Sequence, residues 1–478
     1  MKIIKILSAL ACSALACSAG FFAGVALAQS PVTITVDTTA PGQAVAGGFS
    51  GLSFEMKYVL PETNGDYFFS ADNRRLVAMF KTLGIKNLRV GGNTADRPTV
   101  PVPTEADVDS LFAFAKAADV KVIYTLRLNR GELDAAVKIA DYISQHYKKQ
   151  LDCFAIGNEP NVFSTNYDVY ITEWKRYAAQ ITAPAHSPDA KFCGPSVSPG
   201  HETWSARFAN NLAGSGQIAF ISQHDYPGGD ARKATNSAAA RDQILSPDMT
   251  AHYAKFAANF VPTVISNGLS YRFEEANSFY DGGALDVSDT FASALWALDY
   301  QWRWASHGMC GINFHTGDKV AARDMNKPCR YAAFWTSDTG YNVHPLGYGI
   351  KAFDLGGHGN LLPLTITNTN EVNLTAYAVR AADKNLFVTV ISREHNAGAP
   401  AANVTLATTE KFARGQIIFL TAPKGDVAAK TGVTLGGAEI KDDASWKGKW
   451  KKLKPGKDGQ FTVTIPAASA AVIQLSPE

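Results

Sequence analysis

"VKVIYTLRLNRGELDAAVKIADYISQHYKKQLDCFAIGNEPN" occupies residues 120–161. Two short apolar runs, 120–128 and 151–158, flank an amphipathic helical pattern. Runs closed by turns and separated by helices imply parallel strands joined by crossover helices. The alternation continues in both directions, with "GFSGLSF" (48–54) and "IKNLRVGG" (85–92) before it. "KFCGPSV" (191–197), "QIAFISQHDY" (217–226), "SYRFEE" (270–275) and "CGINFHTG" (310–317) follow. Eight strand–helix units over roughly 300 residues predict a (β/α)8 TIM barrel. A doubly wound open sheet is the rival, but no GxGxxG follows the first strand.

The intervening helices carry their own signals. Thr104 and Asp107 form a capping-box pattern ahead of "EADVDSLFAFAKAA". Tyr167, Tyr170, Trp174, Tyr177 and Ile181 stripe one helical face. Ser288 or Asp289 is expected to cap a helix whose Phe291, Leu295, Leu298 and Trp302 face inward, with Gly308 ending it. After about residue 345 the segments become alternating and β-rich, as in "VNLTAYAVRAADKNLFVTVISR" and "GQFTVTIPAASAAVIQLS", and read as an antiparallel β-sandwich. "PVTITVDTT" (31–39) has the same alternation and is expected to add a strand to it. The division is 1–28 leader, 29–46 N-terminal strand, 47–345 barrel and 346–478 sandwich.

Of the 478 residues, 46% are hydrophobic and 18% charged, the balance of an ordered globular chain. The start has Lys2 and Lys5, an apolar region and Ala26-Leu27-Ala28, the pattern of an export signal cleaved near Ala28. A periplasmic or extracellular location is therefore expected, and no later stretch is long enough to span a membrane. Removing Lys2 and Lys5 with the leader brings the 45 basic residues level with the 43 acidic ones. That neutrality argues against nucleic acid or another long polyanion as partner. Cys153, Cys193, Cys310 and Cys329 remain and fit bridges or buried thiols equally well. They show no clustered Cys/His spacing, so no metal or cofactor is expected.

Barrel enzymes place their chemistry at the C-terminal ends of the strands. Asn158 and Glu159 end the fourth barrel strand, His224 and Tyr226 the sixth, Glu274 and Glu275 the seventh, and Asn313 and His315 the eighth. Carboxylates on strands four and seven, about 5–5.5 Å apart, suit double displacement at an anomeric carbon. Glu159 also fits an ion-paired or helix-capping carboxylate beside Pro160. Adjacent strand residues point to opposite faces, so one of Glu274 and Glu275 is expected to face the barrel axis and the other the surrounding helices. His224, His315 and Glu55 fit wall residues as well as site residues.

These residues resemble glycoside hydrolase family 79, the β-glucuronidases and heparanases, within the large clan of retaining (β/α)8 glycosidases. The likeness rests on "GLSFE" (51–55), "LRVGGNTAD" (88–96), "AIGNEPN" (155–161), "EANSFYDGG" (275–283) and "GINFHTG" (311–317). It covers the barrel and the β-sandwich after it. The E-x-N-S match selects Glu275 as nucleophile and implies Glu159 as acid/base. It implies further that Asn158 contacts the sugar 2-hydroxyl and that Tyr226 hydrogen-bonds the nucleophile. Tyr280, the backbone N–H of Gly282 and Tyr331 would hold the uronate carboxylate, with Asn93 and Asp96 at the far hydroxyls. Asp96 also fits a structural pair with Arg97 or Arg89.

The activity implied is exo-acting release of glucuronic acid from β-glucuronide glycans or glycosides. An endo-acting heparanase- or hyaluronidase-like enzyme would need a basic cleft. A β-xylosidase or arabinofuranosidase would lack the uronate tyrosines, and a non-catalytic carbohydrate-binding barrel would not need both carboxylates. The lysine run "KGKWKKLKPGK" (447–457) reads as a solvated hairpin that protects a sheet edge rather than as an anionic-glycan patch.

Overall fold

A computed structural model describes residues 29–318 and 328–477, so the expected leader lies outside the described residues. The first strand, β1 (Gln29–Val36), belongs to an outer sheet. The next eight close on one another in sequence order: β2 (Ser50–Glu55), β3 (Asn87–Gly91), β4 (Lys121–Leu126), β5 (Leu151–Ile156), β6 (Phe192–Val197), β7 (Ile218–Asp225), β8 (Tyr271–Ala276) and β9 (Gly311–His315). Every pairing around the ring is parallel, and β2 closes it against β9. The eight apolar runs are thus the staves of a TIM barrel.

Alternation along each stave sets what faces where. Leu52, Phe54, Leu88, Val90, Phe154, Phe273 and Phe314 pack outward into the main hydrophobic core with the helices. Ser53, Asn87, Arg89, Cys153, Cys193, Arg272 and Asn313 occupy the lumen, which is largely polar. There Arg272 Nε donates to Asn313 Oδ1 at 2.6 Å, and Asn313 Nδ2 donates to Asn87 Oδ1 at 2.8 Å. Cys153, Cys193, Cys310 and Cys329, the cysteines among the described residues, are free thiols.

The capping box of Thr104 and Asp107 opens helix Glu105–Ala118, and the aromatic stripe is buried along helix Tyr167–Ile181. Helix Phe291–Ser306 departs from expectation at its start. Thr290 is the N-cap residue and no side chain caps it. Ser288 instead receives the Ala284 N–H, and Asp289 pairs with Lys430. The helix is also buried nearly all round, because the sandwich covers its outer side. Trp302 stacks on Tyr377 with centroids 5.6 Å apart, and Asp299 accepts from Thr375, Tyr377 and Arg393.

Residues 345–356, assigned by pattern almost wholly to the sandwich, form helix Pro345–Gly356, which packs on Phe291–Ser306 and on Arg74–Leu83 in the barrel's outer ring. The sandwich begins after it. A four-stranded sheet runs Leu364–Thr367, β1, Ala401–Thr408 and Phe461–Ile465; the facing seven-stranded sheet runs from Asn360–Leu362 to Arg414–Thr421, which carries both Thr434–Leu435 and Lys451–Leu453 at its edge. All of these pairings are antiparallel except that of β1 with Ala401–Thr408, which is parallel over eight residue pairs. The lysine-rich Lys451–Leu453 lies against the Arg414–Thr421 strand. No helix among the described residues is long and apolar enough to cross a membrane.

Candidate active site

Glu159 follows β5 and takes a left-handed backbone conformation, φ 45° and ψ 56°. A non-glycine residue holds that conformation only where its surroundings impose it. Here the Glu159 N–H donates to Ser196 O at 2.9 Å. Glu159 precedes the short helix Pro160–Val162 but makes no side-chain capping bond. Its Oε1 instead lies 3.0 Å from Nδ1 of His224, and its side chain keeps 20% of its surface exposed at the barrel mouth.

Glu275 is held on both oxygens. Arg89 Nη1 donates to Oε2 at 2.7 Å and the Tyr226 hydroxyl donates to Oε1 at 2.8 Å. His224 and His315 each present Nδ1 at 3.8 Å. Burial alone would push this carboxyl up. The charges on His315, His224 and Arg89 and the Tyr226 hydrogen bond outweigh it and hold the group well below the ordinary carboxylate range. An oxygen of Glu275, one of Glu159 and a ring nitrogen of His224 lie within 4.8 Å of one another. That triangle has the outline of a metal site. Its atoms are already engaged, Glu275 by Arg89 and Tyr226 and His224 by Glu159.

The relation of Glu274 to Glu275 corrects the strand-alternation reading. The pairing register shifts between Ser222 and His224 on β7 and between Phe273 and Ala276 on β8. Arg272 is in the lumen and Phe273 outside it, so alternation turns Glu274 inward. The irregularity then brings Glu275 to the mouth as well. Glu274 accepts from Cys193 Sγ on β6 at 3.3 Å, two strands away, a contact available only through the lumen. It faces no helix.

Asn158 Oδ1 accepts from Arg89 Nη2 at 2.6 Å, and its Nδ2 lies 3.4 Å from Asn93 Oδ1. Arg89 therefore spans Glu275 and Asn158 while itself fully buried. Asp96 makes no side-chain pair with Arg89; its carboxylate accepts the backbone N–H groups of Leu128, Asn129 and Asn158 at 2.7, 2.8 and 2.6 Å. Burial pushes its carboxyl up against those bonds. Tyr226, Tyr280 and Tyr331 cluster beside Glu275, with ring centroids 6.2 Å apart for the first two and 6.3 Å between Tyr226 and Tyr331. Tyr280 is exposed and Tyr331 buried.

Gly282 O accepts from Arg330 N at 2.7 Å, tying this loop to the chain entering Tyr331. Gly283, at φ 90°, would set a Cβ 2.8 Å from Tyr331 N, so only glycine allows the two segments to approach. Asn277 Nδ2 completes the tie by donating to the carbonyls of His315 and Tyr331. Glu55 accepts twice from Thr94 and lies 3.5 Å from His315, making both wall residues behind Glu275.

Residues 358–472 match the glycosyl hydrolase family 79 C-terminal beta domain. Two β-glucuronidases are related along the chain. The Aspergillus niger protein is 23% identical over 369 residues, covering 68% of this chain and 67% of that one. The Neurospora crassa protein is 23% identical over 351 residues, 62% of each. The chain thus carries a family 79 C-terminal domain and is similar to β-glucuronidases over most of its length. The domain match and the two relatives make it a glycoside hydrolase, and it spans about two thirds of the length of these relatives. Among solved structures, a 4-O-α-L-rhamnosyl-β-D-glucuronidase from Fusarium oxysporum superposes with a TM-score of 0.70 at 19% identity, over 93% of this chain and 100% of that one. A family 51 arabinofuranosidase from Xanthomonas axonopodis pv. citri gives 0.67 at 16% identity, over 94% and 100%. At these identities the likeness is one of fold.

Pattern reading of the barrel missed Arg89 as a site residue and left His224 undecided. The available signal was a charged residue within an apolar barrel strand, "NLRVG", since a buried arginine needs anionic or polar partners.

Proposed function

We propose that this glycoside hydrolase is an exported, retaining exo-β-glucuronidase. The observation that carries the mechanism is the pair Glu159 and Glu275, with carboxylate oxygens within 4.8 Å. An inverting enzyme needs about 6.5–9.5 Å between its carboxyl groups to admit a water, whereas about 5–5.5 Å suits direct attack. Glu275, kept ionised by Arg89, His224 and His315 and oriented by Tyr226, is the nucleophile. Its oxygen bonds to the anomeric carbon as the glycosidic C–O bond breaks, and Glu159 gives its proton to the departing oxygen. Glu159 then takes a proton from water, whose oxygen attacks the anomeric carbon and releases Glu275. The two inversions give net retention.

Asn158, oriented by Arg89, is suited to the 2-hydroxyl. The hydroxyls of Tyr280 and Tyr331 and the Gly282 N–H are the proposed donors to the sugar carboxylate, with Asn93 and Asp96 toward the remaining hydroxyls. Support for the substrate comes from the two related β-glucuronidases and from the tyrosine cluster beside Glu275. Export rests on the pattern of residues 1–28.

Hydrolysis of aryl β-glucuronide measured beside aryl β-glucoside and β-xyloside tests the reading. A strong preference for the glucuronide is expected, with product first released as the β-anomer. Equal rates on glucoside and glucuronide would remove the uronate assignment, and an α-anomer as first product would remove retention.

A further inference from the structure

Glu274 has no part in the double displacement, yet it lies fully buried in the lumen one residue before the nucleophile. A buried carboxylate persists only where something compensates its charge. Its Oε2 receives the weak Cys193 thiol donor, and the Ser196 side chain adds a further contact to the carboxylate. Its Oε1 has no hydrogen-bond partner among the described residues, nor has Nε2 of His224, and these two atoms lie 3.6 Å apart. On the opposite edge of the same ring, Nδ1 is 3.0 Å from Glu159 Oε1 and 3.8 Å from Glu275 Oε1.

The groups facing His224 are therefore Glu159 after β5 and Glu274 and Glu275 on β8. The Cys193 thiol of β6 lies behind Glu274, and Arg89 of β3 is bound to Glu275. An imidazole with carboxylates at both edges turns a lone pair toward one of them unless both nitrogens carry protons.

We propose that Glu274 is a positioning residue: its carboxylate holds a proton on Nε2 of His224, so that Nδ1–H is kept on Oε1 of Glu159 and the transferable proton of Glu159 resides on its other oxygen. A neutral His224 could place its single proton on either nitrogen. With Nδ1 bare, the ring would compete for the Glu159 proton instead of donating to the acid. In the proposed arrangement His224 keeps both protons throughout. Only Glu159 Oε2 gives a proton to the leaving oxygen and regains one from water. The electrostatics agree: burial opposes charge on His224, but the Glu275 charge and the contacts with Glu159 and Glu274 raise it to about 9. Glu274 is lowered to about 2, burial being outweighed by His224 and Arg89.

The inference rests on Glu159 as the acid/base, and its test separates the two claims. Nitrogen-15 NMR of the histidine-labelled full chain, with the His224 signals identified as those lost in His224→Asn, reads the protonation directly. Both ring nitrogens should be protonated at pH 7.5 in the wild type. In Glu274→Gln the titration should fall toward the ordinary imidazole value of about 6.5. A His224 with only one protonated nitrogen in the wild type would overturn the proposal, and that measurement needs no variant at the Glu274 position.

The second arm is a series of aryl glycosides of the sugar the enzyme accepts, with leaving groups of increasing pKa. Glu274→Gln should lose on the order of 10- to 100-fold in kcat/KM on the poorest leaving groups and little on the best, which need no protonation. Equal loss across the series would reduce Glu274 to a structural role. Failure of the wild type on β-glucuronides would overturn the substrate reading alone.

Discussion

The barrel lumen and the sandwich core are both made of β-strands, and their interiors are built on opposite principles. Between the sandwich sheets lie Val32, Ile34, Leu386, Val388, Val404, Leu406 and Ile473 with Phe412 and Phe461, an apolar and mostly aliphatic interior. Its stability comes from apolar area removed from water, which is non-directional and forgiving of exchange between hydrocarbons. Inside the barrel the equivalent positions hold Arg89, Arg272, His224, Glu274, Asn87 and Asn313. Each charge there is tolerable only because a named partner meets it. One chain thus contains a region specified by pattern and a region specified by pairing. Only the second can do chemistry.

Four substitutions or titrations would break or sharpen this contrast. The largest effect belongs to Glu275→Gln, which should lower kcat by on the order of 10⁴-fold or more while the fold survives. Substrate turnover and the circular dichroism spectrum together check it, and near-normal turnover would remove the proposed nucleophile. Arg89→Met comes next. It strips one guanidinium from Glu275, Asn158 and Ser53. Glu275 keeps Tyr226, His224 and His315 but loses its buried guanidinium, which should cost up to about 3–5 kcal/mol in urea denaturation, and activity should fall with it.

Leu386→Ala, fully buried in the sandwich interior, should cost about 2–5 kcal/mol but leave kcat per folded molecule unchanged. A large change in kcat would show that the sandwich reaches into the chemistry. Last is a pH effect confined to the barrel. His224 is raised to about 9, so the stability it contributes is complete below its ordinary range near 6.5 and is lost as pH rises through about 9. Glu274 is lowered to about 2, so its contribution is complete above about 4.5 and is lost as pH falls toward 2. The urea midpoint should decline at both ends, and His224→Asn should flatten the alkaline decline.

Local patterns that depend on near neighbours were legible in the chain. The eight staves, the Thr104 capping box and the aromatic stripe of Tyr167–Ile181 repeat at the period of their own element. The cap of Phe291–Ser306 was misread because Ser288 and Asp289 satisfy distant partners, Ser278 and Lys430, instead of the helix end. Helix Pro345–Gly356 was missed because it is apolar on several sides, packed between barrel and sandwich, and so lacks a polar face to mark its period.

At the site, the carboxylates that end β5 and β8 could be picked out because strand ends are visible in sequence. What the strands do at those ends was not. Two register shifts, on β7 and β8, place Glu274 and Glu275 on the same side of the wall, against the alternation that would separate them. The sequence by itself determined a barrel of eight parallel strands followed by a sandwich, because hydrophobic period and turn chemistry are local. Which charge meets which, from Arg89 between Glu275 and Asn158 to His224 between Glu159 and Glu274, was decided only by closing the barrel. Closure brings side chains from β3, β5, β7 and β8 within hydrogen-bonding reach, and in a buried lumen each charge depends on its nearest partner.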